Sequence, residues 1–86
     1  MGNTGDWTYV GDVSQPYPMI YKRSAGNEIY MVVLNPSAKK VKATIPTQGG
    51  KVAKYIMGSG KTSYKPGKTQ DKIDMNGISC AIYKID

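Results

Sequence analysis

Apolar and polar residues alternate along much of this chain, in short runs separated by Gly, Pro and Asn. The clearest case is Val41, Ala43 and Ile45, which are separated by Lys and Thr residues. This period of two is typical of a strand with one buried face. Turn residues recur about every 8 to 12 positions, a spacing typical of antiparallel sandwiches and barrels. The pattern therefore predicts an all-β fold, an antiparallel Greek-key β-sandwich of about seven to eight strands.

Two of the predicted strands flank the tripeptide Ala-Gly-Asn at residues 25–27. The Gly and Asn tolerate the left-handed backbone of a tight turn, so Met19 to Ser24 and Glu28 to Asn35 are expected to form a β-hairpin. Because Ile29 to Leu34 is continuously apolar, we expect the second strand to be central and buried on both faces. Pro36 ends this strand, since proline cannot donate to a ladder.

The remaining strands are expected at residues 7–10, 41–45, 51–57, 62–65, 71–75 and 78–85. Asn76-Gly77 separates the last two of these strands and predicts a second hairpin. Cys80 is in phase with Ile78 and Ile82, and we expect its side chain to be a small buried hydrophobe. With a single cysteine, the chain can form no internal disulfide.

The length of 86 residues fits one domain. Residues 2–6 are small or polar, and we predict that residues 1–6 are a linker remnant, with residues 7–86 forming a single β-sandwich domain. A domain of this size has little room for a deep substrate cavity. We expect it to be a monomer. Ten Gly and seven Tyr, against one Leu and one Glu, are also typical of a β protein.

Catalytic chemistry has few candidate residues in this sequence. Glycoside hydrolysis needs two carboxyl groups about 5 to 9.5 Å apart, yet Asp71 and Asp74 are predicted on opposite faces of one strand. The chain has no His, so neither a Ser/His/Asp nor a Cys/His arrangement can form. With no His and a single Cys, the usual imidazole and thiolate metal sites are excluded as well. We expect no catalytic residue, no metal and no cofactor.

The segment Gly60-Lys61-Thr62 resembles the end of a phosphate-binding loop. That motif requires a glycine where this chain has Tyr55, and a helix after the loop. Pro66 and the turn residues around it oppose such a helix. We therefore predict an ordinary turn between strands at this position.

The formal net charge of +6 comes almost entirely from lysine, since eleven of the twelve cations are Lys. Arg23 is the single arginine, whereas base and phosphate recognition usually relies on Arg. We expect no nucleic-acid partner, and no membrane partner because no apolar run approaches about 18 residues. A small nucleic-acid-binding barrel is kept as an alternative. Its groove would use Lys39, Lys40, Lys42, Lys51 and Lys54.

Aromatic side chains offer one candidate binding function. Flat aromatic rings suit the apolar faces of sugars, and the candidates for a stacking platform are Trp7, Tyr9, Tyr17 and Tyr64. In a chain without Phe, the same rings are also the main material for the core and for an interface between domains. We favour the second role.

Across nearly all of its length the chain resembles the C-terminal β-sandwich domain of α-amylase-family enzymes, glycoside hydrolase family 13. The succession of motifs is more specific than any one of them. The motifs are residues 2–7 (GNTGDW), 17–23 (YPMIYKR), 26–28 (GNE), 32–37 (VVLNPS) and 78–85 (ISCAIYKI).

This resemblance implies a non-catalytic accessory domain that follows a catalytic (β/α)8 barrel and packs against it. The family's catalytic residues lie in that barrel, which takes about 200 residues or more, and so have no positions in this chain. The resemblance implies a parent glycoside hydrolase acting on starch-like α-glucans, in which this domain stabilises the barrel. The alternative is an autonomous carbohydrate-binding module that binds an α-glucan through exposed aromatic rings.

Overall fold

The computed structural model describes residues 6–49 and 51–85, which form eight strands and contain no helix. The predicted all-β sandwich is therefore confirmed. The first residue of the first strand is Asp6, and the rest of the predicted linker, residues 1–5, lies outside the described residues. The strands are β1 (Asp6–Tyr9), β2 (Met19–Ala25), β3 (Glu28–Asn35), β4 (Val41–Pro46), β5 (Ala53–Ser59), β6 (Thr62–Lys65), β7 (Gln70–Met75) and β8 (Ser79–Ile85).

The strands form two antiparallel sheets. One has five strands in the order β1-β2-β3-β8-β5, and the other has three strands in the order β4-β7-β6. Strand β3 is the central strand of the larger sheet, as predicted. The chain passes between the sheets after β3, β4, β5 and β7, and long crossing connections of this kind are typical of Greek-key folds.

The predicted hairpin is confirmed between β2 and β3, where Ala25 pairs with Glu28 and Gly26 adopts the left-handed conformation (φ 61°). The expectation that β3 is buried on both faces was wrong. Met31 and Val33 are fully buried, whereas Val32 lies half-buried on the other face. The three-stranded sheet covers only one side of the larger sheet, so the apolar run Ile29 to Leu34 supplies a core face and a surface face.

The core lies between the two sheets. Among the described residues, its buried apolar side chains are Ile20, Met31, Val33, Ala81, Tyr83 and Ile85 from the five-stranded sheet, and Ile45, Ile73 and Met75 from the three-stranded sheet. Both sheets contribute large aliphatic groups, so deletion of either set would leave the other exposed to water.

The predicted hairpin at Asn76-Gly77 was wrong, because β7 and β8 belong to different sheets. The segment is hydrogen-bonded to the end of β3 and to the loop that follows it. The amide of Ile78 donates to the carbonyl oxygen of Ser37 (2.7 Å), and the side-chain amide of Asn35 donates to the carbonyl oxygen of Asn76 (2.8 Å). A Cβ on Gly77 would collide with the backbone of Ala38. Close packing between loops therefore turns the chain from one sheet to the other.

The orientation predicted for Cys80 was also wrong. Ser79, Ala81, Tyr83 and Ile85 point into the core, and Cys80 is half-buried on the opposite face of β8. Ile78 does not share the alternation of β8, because it lies before that strand. Its backbone has φ 49°, and its side chain is 69% exposed. Ile78 therefore gives no information about which face of β8 is buried.

Candidate functional site

The side of the five-stranded sheet that faces away from the three-stranded sheet, hereafter the outer face, carries an apolar band. Residues that pair across antiparallel strands share a face, so the register defines rows of side chains across all five strands. The middle row consists of Tyr9, Tyr21, Val32, Ile82 and Met57. Met57 is 59% exposed and the other four are half-buried.

A second row extends the apolar band toward one end of the sheet. It consists of Met19, Leu34, Cys80 and Ser59. Two depressions of about 250 and 360 Å³ open along this part of the outer face, and both are lined by Leu34, Ser59 and Cys80. Met19 and Ile78 border the first depression, and Met57 and Ile82 border the second. The depressions are shallow sockets with largely aliphatic walls.

The third row borders the apolar band with polar and aromatic groups. It consists of Trp7, Arg23, Tyr30, Lys84 and Lys54. The Arg23 guanidinium lies 5.6 Å from the centre of the Trp7 ring, in a cation–π contact. The Lys84 ammonium pairs with the Glu28 carboxylate at 3.2 Å. The outer face is thus apolar over two rows and polar along its border.

Strand β5 is an edge strand, and its side chains are more exposed than those of its neighbours. Tyr55, Ile56 and Met57 are 57%, 45% and 59% exposed. The register shifts between Tyr55 and Met57, which marks a β-bulge at Ile56. Apolar surface therefore continues from the outer face onto this edge.

Cys80 lines both depressions. Its Sγ atom is 3.5 Å from the Oγ atom of Ser59. Hydrogen bonds from the Ser59 side chain and backbone lower the pKa of the thiol. Because Cys80 is the single cysteine of the chain, its alkylation reports directly on whether the outer face is accessible.

The opposite surface of the sandwich, the outer face of the three-stranded sheet, is polar. A depression of about 540 Å³ there is lined by lysines and carboxylates as well as by Thr44. The five lysines of the nucleic-acid alternative do not gather into one groove: Lys42 lies on this surface, whereas Lys54 lies on the outer face of the larger sheet. Lys39 and Lys40 lie between β3 and β4, and Lys51 precedes β5.

The predicted sugar-stacking residues are separated into three places. Trp7 and Tyr9 share the outer face on β1, and Tyr17 lies half-buried in the loop between β1 and β2. Tyr64 packs against the core, with its ring centre 5.2 Å from that of Tyr83. Sugar stacking by these residues stays a prediction, and the geometry offers a shared surface to Trp7 and Tyr9 alone among the four.

The carboxylates of β7 lie on opposite faces of the strand, as predicted. Asp71 is buried and accepts hydrogen bonds from the hydroxyl of Tyr64 (2.8 Å) and the amide of Gly67 (3.1 Å). Asp74 is half-buried on the polar outer surface. Among residues 6–49 and 51–85, no three His, Cys, Asp or Glu side chains are grouped so that they could hold a metal. Over the same residues, no helix is long and apolar enough to span a membrane.

The apolar band is not among the features predicted from the sequence, although the apolar run from Ile29 to Leu34 is compatible with it. Ile29 to Leu34 was interpreted as buried on both faces within one domain, and the same continuous apolar pattern arises when one face packs in the core and the other is left for a second surface. Met57 and Ile82 lie in segments with the pattern of ordinary strands, so the sequence does not indicate that they face a second surface.

Comparison with solved structures gives a match to MutB, a glycoside hydrolase family 13 enzyme, in a crystal structure of a mutant in complex with glucose. The identity is 26% and the TM-score is 0.73, over 95% of this chain and 14% of that chain. This chain thus spans about one seventh of the protein that it matches. Comparisons with protein-family models and with curated proteins give no match. The structural match supports a domain related to glycoside hydrolase family 13.

Proposed function

We propose that this chain is a non-catalytic accessory domain of an α-amylase-type glycoside hydrolase. In this proposal it follows a catalytic (β/α)8 barrel that acts on starch-like α-glucans, and it packs against the barrel and stabilises it. The observation that carries the proposal is the MutB match, which covers 95% of this chain at 26% identity and a TM-score of 0.73.

The extent of the match supports an accessory role. Because the matched segment is 14% of the MutB chain, most of that enzyme lies outside the part that resembles this chain. A (β/α)8 barrel alone requires about 200 residues or more. In this proposal the chemistry belongs to the larger part of the enzyme, and the shared sandwich contributes stability and orientation.

The two carboxylates of β7 cannot form a catalytic pair with each other. Asp71 is committed to hydrogen bonds with Tyr64 and Gly67 inside the sandwich, and Asp74 faces the other way across the same strand. A glycosidase mechanism needs two carboxyl groups that face one cleft. These two side chains cannot supply that geometry.

Incubation of the purified chain with soluble starch and maltoheptaose tests the absence of catalysis. We expect no release of reducing sugar above a buffer control. Sustained release that is lost in Asp71→Asn or Asp74→Asn would overturn the proposal. Retardation of the chain in a starch-containing native gel, lost in Trp7→Ala, would instead favour the alternative of an autonomous carbohydrate-binding module.

Two engineered enzymes test the accessory role itself. In the first, hereafter the chimera, this chain replaces the matched segment of MutB. In the second, hereafter the deletion enzyme, that segment is removed. We expect the chimera to retain more folded, active enzyme than the deletion enzyme, because docking of a folded domain stabilises the part it contacts.

A further inference from the structure

We infer that the outer face of the five-stranded sheet is the surface through which this domain docks, and that its occupant is an apolar helical surface of the parent enzyme's barrel. This inference rests on the proposed function, which says that the domain packs against the barrel but not through which face. The outer face has the composition, the size and the shape that such an interface requires.

The outer face differs from the opposite surface of the domain in its side-chain composition. The two rows led by Tyr9 and Met19 are apolar apart from Ser59, whereas the outer face of the three-stranded sheet carries Lys42, Lys72 and Asp74. Interfaces are depleted of charge at their centre and have a polar border. The row from Trp7 to Lys54 provides such a border on one side of the apolar band.

The size of the face matches a contact between domains. Five strands at about 4.8 Å spacing, crossed by three rows of side chains, cover about 24 by 20 Å. Counting both partners, this corresponds to on the order of 1,000 Å², within the range of about 600 to 1,500 Å² for interfaces between domains of one chain. The two apolar rows alone cover about 24 by 14 Å, roughly 330 Å² of one partner, which is in the range of the largest and often functional apolar patch of a protein surface.

The shape of the face favours a helical occupant. The depressions of about 250 and 360 Å³ are separate sockets that share Leu34 and Cys80, and each can receive a protruding side chain. Helices present such side chains as ridges, and helices form the outer layer of a (β/α)8 barrel. The length of MutB outside the matched segment shows that ample protein exists to supply this surface in a related enzyme.

A second copy of the chain is a less favourable occupant. Two copies would each bring a formal charge of +6 into contact, and like net charges oppose association. We therefore expect the free chain to be a monomer at micromolar concentration, as measured by analytical ultracentrifugation. A dimer that dissociates on Met57→Lys would overturn the inference in favour of self-association.

Thiol accessibility in the chimera tests the docking face. Cys80 reports on the outer face, and Thr44→Cys in a Cys80→Ser background reports on the outer face of the three-stranded sheet as a matched control. Each protein is treated with iodoacetamide, and alkylation of each position is followed on its own peptide by mass spectrometry. Both positions are expected to react readily in the free 86-residue chain.

In the chimera we expect alkylation of Cys80 to slow at least tenfold, while alkylation of the Thr44→Cys position is unchanged. Slowing at the Thr44→Cys position but not at Cys80 would overturn the docking face and leave the proposed function intact. Unchanged rates at both positions would mean that the domain does not dock, which overturns the proposed function as well. Equal slowing at both positions would also overturn the inference, since the outer face of the five-stranded sheet would then be no more protected than that of the three-stranded sheet.

Discussion

Removal of the Asp71 carboxylate is expected to destabilise the sandwich strongly. Asp71 is 1% exposed and accepts two hydrogen bonds, from the hydroxyl of Tyr64 and the amide of Gly67. It therefore ties β6 and the loop after it to β7. In Asp71→Ala, the half-buried Tyr64 hydroxyl loses its acceptor, while the exposed Gly67 amide can turn to water.

The magnitude follows from these two contacts. A hydrogen bond to a charged group contributes about 1.5 to 3 kcal/mol. The Gly67 bond is replaced in part by water, and removal of a buried carboxylate also removes its desolvation cost. We expect a net loss of about 2 to 3 kcal/mol, against a total stability of about 5 to 10 kcal/mol for a small domain.

Urea unfolding followed by far-UV circular dichroism measures this loss, with Asp74→Ala as the matched control. Asp74 lies on the same strand, but its carboxylate takes part in none of the side-chain hydrogen bonds found among the described residues, so its replacement should cost less than about 0.5 kcal/mol. An Asp71→Ala free energy of unfolding within about 0.5 kcal/mol of the wild-type value, or an equal loss in the two variants, would refute the role assigned to the Asp71 carboxylate.

Three further changes give distinct outcomes. Val33→Asp places a carboxylate at a fully buried position of β3 and should abolish cooperative melting. Its control, Lys42→Asp on the polar surface, should shift the melting temperature by only a few degrees. Cooperative melting of Val33→Asp would contradict the assignment of Val33 to the core. Gly77→Ala should cost about 1 to 3 kcal/mol in urea, because its methyl group would meet the Ala38 backbone, and an unchanged midpoint would mean that this corner is not tightly packed. Burial and the hydrogen bond to Asp71 raise the pKa of Tyr64 above its ordinary value of 10.0, so its contribution to stability is complete below about pH 10 and is lost as the pH rises further. Tyr64→Phe should therefore reduce the loss of unfolding free energy above about pH 10, and an identical alkaline loss in both proteins would refute that assignment.

The fold was largely predictable because local signals and sheet pairing agree in most of the chain. The turn at Gly26 separates two strands, and the alternation from Val41 to Ile45 identifies a third. Neither signal depends on the rest of the protein. Asn76-Gly77 has the sequence of a hairpin turn, yet it connects two sheets. Its path is decided by contacts with Ser37 and Asn35, which are distant in sequence and cannot be inferred from turn propensity.

The candidate site was less predictable than the fold. Sequence pattern shows that a side chain is apolar, but it does not show whether the surface covering it is the second sheet or another domain. Val32 and Val33 are adjacent and identical in type, yet Val33 is in the core and Val32 is on the outer face. Only the placement of the three-stranded sheet separates them, so the apolar band emerges from the tertiary structure.

The proposed stabilisation of a catalytic barrel by this domain is tested most directly by the half-life of enzyme activity at elevated temperature. We predict that the chimera retains activity at least several times longer than the deletion enzyme. The same chimera carrying Val33→Asp should lose this advantage, because a domain that does not fold cannot dock. Equal half-lives for the chimera and the deletion enzyme, with this domain folded in the chimera, would contradict the account.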